Sequence, residues 1–207
     1  MVFAKRIMSL LRASRRTLTW VRPRPMVGLL AAIGLGVFLW GAYIPMKTWA
    51  AQALLERAWD RAVAGDATAS PWAVADIYPV ARLSVARLGV SNIVLSGADG
   101  RALAFGPGHV GGTTAPGGRG HSVISAHRDA HFAWLKDAAV GDLIDIARPN
   151  GAKASYRIVE MQVIDSRKNQ VMLHPGRDLL TLITGYPIEN QIPDGPMRLI
   201  ATAESRF

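Results

Sequence analysis

The chain has 207 residues, a formal net charge of +9 and no cysteine. Half of its residues are hydrophobic and 19% are charged, enough to build a core and too apolar for a disordered polymer. A disulfide framework and a thiolate metal site are both excluded.

The positive charge is concentrated at the start. Residues 1–25 carry seven cations (Lys5, Arg6, Arg12, Arg15, Arg16, Arg22 and Arg24) and no acid, and removing seven from +9 leaves +2 for the remainder. That is too little for a phosphate-binding surface, so a nucleic-acid partner is not expected. Residues 1–25 read as a basic cytoplasmic tail.

Met26 to Met46 carries no charge and has the length needed to cross a hydrocarbon core. Trp20 on one side and Trp40 and Tyr43 on the other suit the headgroup region. A cleaved leader would be shorter and would end in small residues, whereas Trp40, Tyr43 and Pro45 crowd that place. The expectation is a retained transmembrane helix at 26–46. With the cations before it and only Lys47 close behind, the N-terminus is expected in the cytoplasm and the rest outside the cytoplasmic (inner) membrane, anchored by a single pass.

Residues 47–64 lack Gly and Pro and place Trp49, Leu54, Leu55, Trp59 and Val63 at mixed spacings, with steps of four from Leu55 to Trp59 to Val63, which predicts a helix. Gly65–Pro71 is small and polar, a linker. The expected plan is a helical stalk and linker at 47–71, then a compact domain at 72–207.

From there the pattern becomes short apolar runs broken by turn residues. Strands are predicted at Ala81–Leu88, Ile93–Ser96, Ser122–Ala126, Leu143–Ala147, Ser155–Ile164, Leu179–Thr184 and Met197–Ala203. Only His131–Ala138 reads as helical. Many short strands without long helices between them predict a mostly β sandwich or closed barrel.

Three segments carry chemistry. Ser122–Leu135 (SVISAHRDAHFAWL) puts His127 just past a strand, Leu179–Pro187 (LLTLITGYP) ends a buried run at Gly185, and Gly195–Ala203 (GPMRLIATA) puts Arg198 near the start of the last strand. If the last two strands form an antiparallel hairpin, position 185 and Arg198 become neighbours. His109, His121, His127 and His131 form a rival constellation, with His127 and His131 four apart as in a helical zinc pair. HRDAH, however, lacks the glutamate of the HExxH motif, and no metal or other cofactor is expected. Gly106–Gly111 (GPGHVG) matches GxGxxG only formally and reads as a surface loop. The HRD at 127–129 lacks the asparagine a kinase loop needs, and no GxSxG elbow occurs.

These segments together resemble the sortase family, in particular its proteobacterial, Gram-negative branch. Sortases carry a histidine in a context like AHRDAHF, a cysteine closing a TLxTC strand and an arginine on the following strand; here the matching positions are His127, Gly185 and Arg198. Val85–His109 also looks like that branch, and the likeness extends over about Ala81–Ala203 together with the anchor. The resemblance implies a closed sortase-type β-barrel with short helices. It also implies a transpeptidase whose thiolate attacks a peptide bond in a C-terminal sorting signal and passes the acyl group to an amine acceptor. His127 would exchange protons with the leaving and incoming amines, and Arg198 would stabilise the oxyanion. Thr184 is a secondary, substrate-binding candidate.

The departure falls on the nucleophile. Gly185 has no side chain and no thiol exists elsewhere, so the chain is expected to be catalytically inactive; the alternative is a non-catalytic envelope protein that binds peptide tails. Both expect the imidazole at 127 and the guanidinium at 198 to converge on an empty place above the α-carbon of 185.

Overall fold

A computed structural model of the chain describes residues 25–66, 69–72, 77–174, 176–189 and 195–206. Of the basic tail expected at 1–25, residues 1–24 lie outside the described residues. The chain divides into two units, Met1–Met46 and Lys47–Phe207.

A helix, α1, runs Pro25–Val63. In the first unit its apolar side chains, among them Leu30, Ile33, Phe38 and Trp40, are exposed. Among the described residues no helix is long and apolar enough to cross a membrane. The expected span 26–46 reaches into positions 42–48, whose side chains lie outside the described set.

The second unit is built on a closed barrel of eight strands in the order β1-β2-β3-β4-β7-β8-β6-β5. The strands are β1 Pro79–Val85, β2 Val90–Ser96, β3 Gly108–His109, β4 His121–Ser125, β5 Leu143–Ala147, β6 Lys153–Asp165, β7 Leu179–Gly185 and β8 Met197–Ser205. The mostly β reading therefore resolves to a barrel. Two pairs, β2 with β3 and β4 with β7, are parallel, and the rest are antiparallel.

Alternation sets the core. Ala81, Leu83 and Val85 of β1, Leu180 and Leu182 of β7, and Leu199, Ala201 and Ala203 of β8 all belong to one buried cluster, as do Tyr156 and Ile158 of β6. Side chains two apart on a strand share a face, so the residues between them look outward. The segment predicted as a helix at His131–Ala138 is only a 3-10 turn at Ala133–Lys136. Phe132 and Leu135 are both fully buried in the main cluster, so this segment is shaped by packing against the barrel. A helix α2 at Gly100–Leu103, which the sequence pattern did not suggest, is capped by the Asp99 side chain accepting from the Ala102 N–H at 2.9 Å.

Two expectations change here. Gly106–Gly111 is not a surface loop at its start: Gly106, Pro107 and Gly108 are buried, and Gly108 begins β3, which bridges β2 to β4. A Cβ on Gly108 would stand 2.2 Å from the Gly97 carbonyl oxygen, so glycine is required by the approach of two backbones. Likewise, the segment expected as a stalk lies against the barrel within the second unit. Leu55 and Trp59 cluster with Ile93 and Leu95 of β2 and with Ile77 and Ala102. Arg82 of β1 sits 5.1 Å from the Trp59 ring and pairs with Glu56 at 2.6 Å.

Candidate functional site

β7 lies between β4 and β8, and this arrangement brings the three sequence segments to one end of the barrel. The parallel register runs from His121 opposite Leu179 to Ser125 opposite Ile183. The Ala126 N–H then donates to the Ile183 carbonyl at 3.2 Å, so the chain reaches His127 alongside the end of β7. On the other edge the antiparallel register sets Gly185 directly opposite Arg198. The hairpin pairing inferred from sequence is therefore the pairing found.

Thr184 holds this end together. It is only 2% exposed, and its hydroxyl donates to the Ala126 carbonyl at 2.8 Å. Its side chain points inward, opposite to position 185, so it ties β4 to β7 instead of offering its hydroxyl to a substrate. Arg198 is half-buried, and its Nη1 donates to the carbonyls of Gly195 at 2.6 Å and Met197 at 2.9 Å. His127 is exposed, and its carbonyl accepts from the Phe132 N–H at 3.0 Å. Its ring lies close enough to His131 to affect it: burial, and then the charge of His127, push the His131 imidazole below its ordinary 6.5.

The place above Gly185 is not empty. The three atoms nearest to where a Cβ would stand all belong to Arg128, with Cδ at 3.1 Å, Nη1 at 3.6 Å and Cγ at 3.7 Å. Sequence reasoning passed over Arg128, because β4 ends at Ser125 and alternation no longer assigns a face to residues beyond it. The available signal was a cation directly after the strand-end histidine, opposite a glycine that leaves room for it.

On the same outward side, four residues before Gly185 and so about 13 Å along the strand, a cavity of about 390 Å³ reaches Thr181, His121, Ile200 and Thr202 under the segment that carries Met172 and His174. His121 Nδ1 accepts from the His174 N–H at 3.1 Å, so the proton of the neutral ring is on Nε2 and is donated to the Thr181 hydroxyl at 2.8 Å. Burial, reinforced by the charge of His174, lowers the His121 pKa from 6.5.

The four histidines weighed as a metal set do not act as one. His109 Nε2 is 2.9 Å from the Thr114 carbonyl and 3.0 Å from the Thr113 hydroxyl, while His121 belongs to the cavity. Among the described residues no group of three histidine, aspartate or glutamate side chains is arranged to hold a metal ion.

Comparison with known proteins follows the same lines. Residues 83–206 match the family model of the sortase domain. The structure of sortase C-1 from Actinomyces oris is 31% identical, covering 61% of this chain and 74% of that one, with a TM-score of 0.52. Sortase A from Corynebacterium diphtheriae (24% identity, 75% of this chain and 83% of that one, TM-score 0.56) and the pilus-related sortase C of Group B Streptococcus (23%, 75% and 87%, 0.54) share the fold. No curated protein matches the chain by sequence. With the family model spanning more than half of its length and a barrel whose β4, β7 and β8 ends meet at position 185, the chain belongs to the sortase family.

Proposed function

We propose that this chain is a sortase of the proteobacterial branch that holds the C-terminal sorting signal of an envelope protein without carrying out acyl transfer. The observation that carries this reading is Gly185, which faces outward across from Arg198 at the position where the family's chemistry needs a thiolate. Losing a covalent nucleophile removes on the order of a millionfold in turnover even when its partners stay. Among the candidate groups, Thr184 offers no substitute, since its hydroxyl is committed to Ala126 inside the barrel.

The resemblance assigns the other parts of a transpeptidase to residues near the end of β4 and the start of β8. His127 is the proton carrier toward an amine, and Arg198 is the cation for the carbonyl oxygen. A peptide crossing the end of β7 would continue along the outward face into the cavity at Thr181 and Thr202, which lies one short peptide stretch away. The uncharged stretch 26–46 behind seven cations supports a single-pass anchor in the cytoplasmic membrane, with the barrel on the far side.

Gly185→Cys tests the proposal. Only the flexible side chain of Arg128 has to give for the new Cβ. Incubated with a broad panel of sorting-signal peptides, the variant should form a thioester adduct visible by mass spectrometry and release it to an added amine, whereas the chain as it stands should form none. Absence of any adduct across the panel would mean that His127 and Arg198 do not constitute an acyl-transfer site. For the anchor, protease added to intact spheroplasts should digest the barrel; its protection would reverse the proposed orientation.

A further inference from the structure

The place where a side chain at position 185 would begin is bordered closely by a cation of the chain itself. Arg128 brings Cδ to 3.1 Å and Nη1 to 3.6 Å of the Cβ position, a close seat that glycine leaves uncrowded. Arg128 and Gly185 are both partly exposed, so this seat is at the surface of the barrel end and not in its core. Arg128 is also engaged within the chain, and a ligand arriving there adds to that interaction or exchanges with it.

Arg198 stands across the strand pair from the same glycine. Its bonds to the Gly195 and Met197 carbonyls both leave from Nη1. The Nε–Nη2 edge, the fork whose geometry matches a carboxylate, is not consumed by them. His127, next to Arg128 and exposed, is a third group able to carry positive charge. The described carboxylates nearest in sequence, Asp129 and Glu189, are both exposed.

We infer that position 185 has become an anion seat, in which Arg128 and Arg198 together bind the free C-terminal carboxylate of a peptide in place of the internal peptide bond a thiolate would attack. This rests on the reading that peptide tails lie along this outward face. Charge-assisted, bidentate bonds are stronger and more directional than those to a neutral carbonyl, so a terminal acid should be preferred over the corresponding amide. No bond to the peptide forms or breaks, and the ligand leaves as it came.

The test uses the full chain and a pool of N-acetylated pentapeptides made once as free acids and once as C-terminal amides, with retention read by mass spectrometry. Acids should be retained at least roughly tenfold better than amides. Arg128→Gln should abolish that preference and Arg128→Lys should keep part of it, with circular dichroism reporting that the barrel is intact. If Arg128→Gln does not fold, Arg198→Gln and Gly185→Ala carry the test: the first removes the opposite fork, the second crowds the Arg128 side chain at Cδ, and each should reduce the preference, the first more than the second. Equal retention of acids and amides overturns the inference while leaving peptide capture standing. A preference untouched by all these variants overturns it as well, and so does displacement of the acids by inorganic phosphate at equal concentration, which would mark a general anion site. Retention of neither form also overturns it, and adduct formation by Gly185→Cys then decides separately whether the face handles peptides at all.

Discussion

The two faces of β7 and β8 obey different rules. Inward, Leu180, Leu182, Leu199, Ala201 and Ala203 fill the barrel, and what matters there is apolar volume. Outward, Gly185 opposite Arg198 and Thr181 beside His121 are held by register and hydrogen bonds, and what matters is direction. A change on the outward face can therefore leave the entire packing of the inward one in place. Position 185 lies on the outward face and contributes no side chain to the core, so the fold's principal stabilisation does not depend on what stands there.

Mutations can break or sharpen this contrast. Leu182→Ala, on the inward face, should cost about 2–5 kcal/mol in denaturant unfolding through lost transfer energy and an unfilled cavity. Arg198→Ala, three residues along β8 from the register partner of Leu182 and outward, should change stability by less than about 1 kcal/mol. Introduced into the Gly185→Cys background, the same change should slow thioester formation by roughly a hundredfold or more, measured by quenched mass spectrometry. A large stability loss from Arg198→Ala would erase the distinction between the faces. Thr184→Val probes the seam between them: it keeps the shape but leaves the Ala126 carbonyl without its donor, for a cost of about 1–2 kcal/mol in thermal unfolding. The smallest expected effect comes from acid. His121 and His131 are both held below 6.5 in the folded chain, so the unfolded chain binds protons more readily. Stability should be full above that pH and should decline as pH falls below it, and His121→Gln should flatten part of the decline in a pH series of melting curves.

What could be read from sequence divides along the same line. The alternation of Met197, Leu199, Ala201 and Ala203 against Arg198, Ile200 and Thr202 announces β8 and its two sides, because burial imposes a period of two. The neighbourhood of 185 and 198 followed from that plus a hairpin. Three features did not follow. Gly106 and Gly108 look like loop punctuation, since nothing local distinguishes a glycine in a turn from one pressed against another strand. The reach of Arg128 over Gly185 depends on the path taken after β4 ends, which periodicity cannot report. The docking of Leu55 and Trp59 onto β2 was half-visible as an apolar helical stripe, but the partner that covers it is set by the tertiary fold.

The parallel pairing of β4 with β7 has a kinetic consequence. His121 and Leu179 are register partners, yet β5 and β6 intervene between their strands along the chain. Loop closure on that scale must precede the contacts that reward it, which places the barrel among slow-folding, high-contact-order topologies. The end of the barrel that bears 127, 185 and 198 therefore has no early, locally assembled precursor: it comes into existence only as β7 finds neighbours on both sides, and a chain arrested before β8 pairs would possess most of its secondary structure without setting 185 opposite 198.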